Sequence, residues 1–104
     1  MGGKRKREYV VVICGSPSQV RTAFYHYFTL FKGKQGFICD FGCKLVRYGE
    51  DNITISYQIC LPDMKVLMGK FFDEVILYGT VKEHPNYRDV LDYVRTHSRK
   101  VGEF

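Results

Sequence analysis

Two apolar, β-branched segments constrain the fold of this chain more than any other feature. Residues 9–14 read YVVVIC, and residues 74–79 read EVILYG. A strand with one face in water alternates polar and apolar side chains, whereas a strand covered on both faces is apolar throughout. Since a helix is expected after each segment, we predict two parallel strands in the middle of a layered sheet.

The region between these segments has a different pattern. Residues 37–48 alternate imperfectly and residues 53–61 alternate cleanly, with the turn-forming sequence GEDN at 49–52 between them. In the second strand, Thr54, Ser56 and Gln58 lie on the side opposite to the apolar residues. The pattern predicts a β-hairpin at the sheet edge with one exposed face.

Three helices complete the prediction. The first begins after Ser16, which is a good N-cap, with Pro17 at the first helical position and Gln19 placed to close a capping box. The other two are expected at about 63–69 and 85–99. The resulting order, β-α-β-β-α-β-α, predicts an α/β fold: a small three-layer sandwich with central parallel strands and an edge hairpin. A ferredoxin-like α+β fold is the alternative.

Positive charge is concentrated at the N-terminus. The chain of 104 residues has a formal net charge of +5, and Lys4, Arg5, Lys6 and Arg7 supply four of these units. We therefore predict a basic disordered arm over residues 1–7 and a single α/β domain over 8–104. Such arms bind phosphate backbones or acidic partners, and a solubilising tail is the alternative.

Composition argues against several other classes of protein. No apolar run approaches the length of a membrane span, and no secretory signal is present, so we expect an intracellular protein, cytoplasmic or nuclear, without a membrane partner. The four cysteines form no Cys-x-x-Cys pair and the three histidines have no metal-ligand spacing. We expect buried reduced thiols, no metal and no cofactor.

The turn after the first strand carries the most suggestive motif. Residues 15–22 read GSPSQVRT, to be compared with the phosphate-binding pattern G-x-x-x-x-G-K-S/T. Gly15 matches the first glycine and Thr22 the hydroxyl residue. Residues 69–79, GKFFDEVILYG, are similar to the second nucleotide-site strand of phage DNA-packaging motors and helicases. Residues 9–79 thus resemble a degenerate P-loop NTPase core.

The resemblance implies a site that has lost its catalytic groups. Val20 and Arg21 replace the second glycine and the lysine, and Tyr78 and Gly79 replace the magnesium-binding acids. We therefore expect no NTP hydrolysis and no catalytic residues.

A weaker anion site is still expected at the start of the first helix, formed by Gly15, Ser16, Arg21 and Thr22. The alternative is that Ser16 only caps the helix and Arg21 is a solvated surface residue.

Two further features lie on or beside this helix. Arg21, Tyr25 and Lys32 share one face, and Lys34 follows, so that they could follow a nucleic-acid backbone; a plain solvated face is the alternative. Cys14 precedes Arg21 by one residue more than in the C-x5-R phosphatase loop. Its position at a helix N-terminus would lower the thiol pKa, and a buried inert thiol is the alternative.

Together these features predict a non-catalytic binding module that contacts nucleic acid or an acidic protein through the basic arm and the degenerate loop. One alternative is a small viral or phage-type inhibitor acting through a protein surface. A cysteine-dependent phosphatase-like or nucleotide-binding enzyme is a further alternative. Homodimer formation is left open.

Overall fold

The computed structural model describes residues 6–104 as an α/β fold with one mixed six-stranded sheet and three helices. The strands are β1 Lys6–Cys14, β2 Ile38–Asp40, β3 Leu45–Glu50, β4 Ile53–Cys60, β5 Glu74–Tyr78 and β6 Val101–Glu103. The helices are α1 Pro17–Phe31, α2 Met64–Leu67 and α3 Tyr87–Thr96, with a 3-10 turn at Val81–Glu83. The strand order across the sheet is β2-β3-β4-β1-β5-β6.

Strand β1 has a parallel neighbour on each side, β4 and β5. The predicted parallel pairing of the two apolar segments is therefore confirmed. Strands β2, β3 and β4 pair antiparallel, and β6 adds in parallel outside β5. The ferredoxin-like alternative differs from this arrangement, because its helices lie on one face of an antiparallel sheet.

Side chains from opposite faces of β1 belong to two different core clusters. Val12 and Cys14 lie in a cluster with side chains of α1, whereas Val11 and Ile13 lie in a cluster with side chains of α2 and α3. All four are fully buried. This two-sided burial is why the segment is apolar without alternation.

The aromatic face of α1 packs on the sheet. The rings of Tyr27 and Tyr57 stack with centroids 4.7 Å apart, and those of Phe31 and Tyr48 with centroids 4.3 Å apart. Tyr27 and Phe31 are buried, so these aromatic side chains form part of the core and are not available to a ligand.

The prediction of a single strand over residues 37–48 is wrong. The segment folds back between β2 and β3, where the Asp40 carboxylate accepts a hydrogen bond from the Cys43 N–H at 2.9 Å. Lys44 has a φ of 56°, which turns the chain into β3. A local side-chain-to-backbone turn has overridden the strand pattern. The four cysteines are free, but Cys43 is exposed rather than buried.

The chain termini also differ from the prediction. Strand β1 begins at Lys6, so Lys6 and Arg7 lie in the strand and not in a disordered arm; the Lys6 N–H donates to the Asn52 carbonyl at 2.9 Å. Lys4 and Arg5 lie outside the described residues. Helix α3 ends at Thr96, and the three residues of β6, which were not predicted, follow it. A strand so short has no periodicity to detect.

Candidate functional site

The turn between β1 and α1 begins the helix as predicted. Ser16 has an extended backbone, and its hydroxyl accepts a hydrogen bond from the Gln19 N–H at 3.3 Å. Pro17 occupies the first helical position. The Ser16 cap therefore satisfies one of the N–H groups that an anion would otherwise bind.

The Gln19 side chain occupies the space above the ends of β1 and β5. Its Oε1 atom accepts hydrogen bonds from the Gly15 N–H at 3.0 Å and from the Thr80 N–H at 3.1 Å. The predicted capping box is thus only half formed, because the Gln19 side chain accepts hydrogen bonds from the Gly15 and Thr80 N–H groups instead of from the Ser16 N–H. The N–H of Gly15, which the resemblance to a P-loop assigns to phosphate, already has a protein acceptor.

The remaining predicted anion-site residues are separated from Gly15. The Thr22 hydroxyl donates to the Ser18 carbonyl at 3.0 Å, within the helix. Arg21 is exposed. It lines a different feature, an open cleft of about 410 Å³ that Lys44 and Asp63 also line. The binding of an anion by Gly15, Ser16, Arg21 and Thr22 stays a prediction.

This cleft lies beyond the carboxyl ends of β1 and β4. The chain runs from β1 into α1, which packs in one core cluster, and from β4 into α2, which packs in the other. Such a switch point is a common ligand site in α/β proteins. Its polar groups are largely engaged here: Gln58 Nε2 donates to the Cys43 carbonyl, Lys44 Nζ to the Phe41 carbonyl, and Asp63 caps α2. Among residues 6–104, Arg21 forms no ion pair.

Cys14 is unsuited to nucleophilic chemistry. Its side chain is fully buried, and burial raises the pKa of its thiol to about 12. Burial therefore supports the interpretation of Cys14 as a buried inert thiol, because loss of hydration disfavours the thiolate. Burial likewise raises the pKa of Cys60 to about 12.

The predicted basic stripe on α1 is exposed along its length. Arg21, Tyr25, Lys32 and Lys34 are all exposed, and the Tyr25 side chain is 56% accessible. They belong to the helix that packs on the Val12 side of the sheet. The stripe therefore lies on the opposite side of the sheet from Arg7, whereas alternation along β1 places Lys6 on the same side as the stripe.

A second basic surface lies on the Val11 side of the sheet, and we call it the open sheet face. It is a concavity of about 670 Å³. The side chains that form it on this side of the sheet are Arg7, Tyr9, Ile38, Leu45, Arg47, Thr54 and Ser56. The core clusters place α2 and α3 on the β1–β5 half of this side, over Val11 and Val75.

Strand register sets the layout of the open sheet face. Tyr9 lies opposite Ser56, Ser56 opposite Arg47, and Arg47 opposite Ile38, which makes one row across four strands. Arg7 lies two residues before Tyr9, beside Thr54. With strands about 4.8 Å apart, the row is about 14 Å long. Tyr9 is 38% accessible and Ile38 is 50% accessible.

Glu8 lines the concavity, and two further carboxylates close to this face, Asp73 and Asp40, have partners. Asp73 accepts a hydrogen bond from the Tyr9 N–H at 2.7 Å and pairs with Arg99 at 3.6 Å. Asp40 accepts the Cys43 N–H, and this hydrogen bond is the main cause that lowers the pKa of Asp40. The guanidinium groups of Arg7 and Arg47 form no ion pair within residues 6–104.

The sequence pattern indicated part of this surface. The alternation in residues 53–61 indicated that Thr54 and Ser56 face away from the apolar side. It missed Tyr9 and Arg47, because only the pairing of β1 and β3 with β4 brings them to the same row. Arg7 was predicted as part of an arm.

Within residues 6–104, none of the helices has the length and apolar composition needed to cross a membrane. The same part of the chain contains no group of three or more histidine, cysteine, aspartate or glutamate side chains placed to hold a metal ion. In comparisons with known proteins, no family model, no curated protein and no solved structure matches this chain.

Proposed function

We propose that this protein is a non-catalytic nucleic-acid-binding module, built as a small three-layer α/β domain, that contacts the phosphate backbone through its open sheet face. One observation carries the proposal: Arg7 and Arg47, neither of them in an ion pair within residues 6–104, project from the same uncovered concave surface. Phosphate contacts by lysine and arginine supply nearly all of the affinity in non-specific nucleic-acid binding.

The position of the basic segment supports this surface over the other candidates. The run of positive charge at residues 4–7 leads directly into β1, and Arg7, its last member, lies on the open sheet face. Arg7 therefore links the basic segment of the sequence to this surface. The α1 stripe lies on the Val12 side, where alternation along β1 also places Lys6, so the support for the open sheet face comes from Arg7.

Other features favour binding over catalysis. The Gly15 turn has Gln19 Oε1 as the acceptor of its N–H, and the Cys14 thiol is buried with a raised pKa. We therefore assign the Gly15 turn a structural role in the proposed module. The relation to P-loop proteins remains a proposal about ancestry, and a nucleic-acid partner implies a location in the cytoplasm or nucleus.

The proposal is tested by fluorescence anisotropy with labelled oligonucleotides between about 50 and 200 mM salt. Affinity is expected to fall steeply with salt. For single strands the slope of log K against log salt is about −0.7 per phosphate contact, so Arg47→Ala should reduce its magnitude by about 0.7. Arg88→Ala is the matched control, because Arg88 is an exposed arginine on α3.

Two results would contradict the proposal. The first is that no oligonucleotide binds at low salt. The second is that Arg47→Ala and Arg88→Ala weaken binding equally, since binding would then follow net charge alone. Competition by poly-glutamate as effective as that by nucleic acid would instead favour the alternative of an acidic protein partner.

A further inference from the structure

We infer that the open sheet face is selective for single-stranded nucleic acid, with a base stacked on Tyr9 and the backbone held by Arg7 and Arg47. This inference rests on the proposed function and makes it more specific. It depends on three properties of the surface: an accessible aromatic ring on a rigid strand, a recessed shape, and the order of side chains in the row.

Tyr9 is held in place from several sides. Its N–H donates to the Asp73 carboxylate at 2.7 Å, and its carbonyl accepts the Asp73 N–H at 2.8 Å. Its ring meets the buried Phe72 ring at 73° with centroids 6.2 Å apart. Tyr9 as a whole residue is nevertheless 38% accessible. A base that stacks on a restrained ring costs little ordering of the protein.

The shape of the surface favours single strands. Duplex DNA is read by helices or ribbons that protrude into the major groove, whereas this face is recessed. Bases in a single strand are free to turn toward the protein and stack on an aromatic side chain. A concavity of about 670 Å³ has room for unpaired bases but presents nothing that would enter a groove.

The order of the side chains in the row suits the binding of a single-stranded nucleic acid. Ser56 lies between Tyr9 and Arg47, so that a hydroxyl is next to the ring and a cation is next to the hydroxyl. A base on Tyr9 would have Ser56 beside its edge, and its phosphates would lie toward Arg47 and Arg7. Sequence-tolerant single-strand binding commonly combines stacking platforms with a cationic groove.

The experiment compares a single-stranded oligonucleotide of about 15 nucleotides with the duplex of the same sequence. We expect the single strand to bind more tightly. Tyr9→Ala should weaken single-strand binding about tenfold, and Tyr9→Phe should bind like the wild type because the ring is kept. Tyr25→Ala is the matched comparison, since Tyr25 is an exposed tyrosine on the competing α1 stripe. It should have no effect if the open sheet face is the binding site.

A second readout reports stacking directly. The chain contains no tryptophan, so Tyr9→Trp introduces a single fluorophore into the site and Tyr25→Trp introduces one outside it. A single strand should quench the fluorescence of the first variant and not of the second. This readout holds even if Tyr9→Ala fails to fold.

The outcomes separate this inference from the proposed function. Salt-sensitive binding in which the duplex binds as tightly as the single strand, or in which Tyr9→Trp and Tyr25→Trp are quenched equally, would overturn the inference and leave the proposed function standing. Absence of binding to both forms would overturn both.

Discussion

Gln19 and Thr80, 61 residues apart in the chain, share two hydrogen bonds. Gln19 Oε1 accepts the Thr80 backbone N–H at 3.1 Å and the Thr80 hydroxyl at 3.2 Å. The same oxygen accepts the Gly15 N–H, so one side chain joins the ends of two adjacent parallel strands. The sequence suggests a phosphate-binding turn at Gly15, but the side-chain amide of Gln19 already accepts the hydrogen bond from the Gly15 N–H.

Gly15 is expected to tolerate no side chain. A Cβ atom there would lie 2.4 Å from the Thr80 backbone carbon and 2.7 Å from its carbonyl oxygen. Gly15→Ala should therefore lower the free energy of unfolding by about 3 kcal/mol, because backbone atoms must move. Gly33→Ala, with no atom within 4 Å of the added Cβ, should change it by less than about 0.5 kcal/mol. Urea denaturation of the two variants measures the difference; equal effects would contradict the close approach of Thr80.

Gln19→Ala should destabilise the fold by about 1 to 2 kcal/mol. It removes the acceptor of two backbone N–H groups at partly exposed positions, where water replaces it incompletely. Gln19→Glu keeps an acceptor oxygen and adds negative charge near a helix N-terminus, so it should be tolerated. Thermal unfolding of both variants, with exposed Gln35→Ala as control, provides the measurement. If Gln19→Ala unfolds at the same temperature as the wild type, the hydrogen bonds of Gln19 contribute nothing to stability.

The cysteines should react in the order of their exposure. Cys43 is exposed, whereas Cys14 and Cys60 are buried and burial raises both thiol pKa values to about 12. Iodoacetamide under native conditions should modify Cys43 first and leave Cys14 and Cys60 intact until the chain unfolds. Peptide mapping by mass spectrometry identifies the alkylated sites. Early labelling of Cys14 would revive the enzymatic alternative.

Alkaline pH should destabilise the protein through the stacked pair Tyr27 and Tyr57. Burial is the main cause that raises both phenol pKa values from 10 to about 12. The unfolded chain therefore releases these protons first. Their contribution to stability is complete below pH 10 and is lost as the pH rises toward 12.

Urea midpoints across this pH range test the expectation. Tyr27→Phe keeps the ring but removes one ionisable group, and it should make the decline with pH shallower. Tyr25→Phe, at an exposed site, should leave its steepness unchanged. A decline of equal steepness in all three proteins would mean that these phenols are not responsible.

Local sequence patterns predicted the parts of the fold that depend on neighbours in the chain. The start of α1 followed from Ser16 and Pro17, and the two-sided burial of β1 followed from its unbroken apolar run. The alternation in residues 53–61 indicated that Thr54 and Ser56 point away from the apolar side, but it predicted an exposed edge face, whereas β4 is an internal strand whose residues are half-buried or buried. The turn at Asp40 was missed, since its side-chain hydrogen bond competes with a strand pattern of similar strength.

The sequence by itself therefore determined that the β1 segment is buried on both faces, where the first helix begins, and that positive charge is concentrated at residues 4–7. In β5 one face is buried and the other is half-buried. Only the tertiary structure decided that Gln19 would meet Thr80 and that Tyr9, Ser56 and Arg47 would form one row. The physical reason is that burial and capping depend on residues a few positions apart. Strand pairing, in contrast, brings together residues whose separation in sequence leaves no local trace.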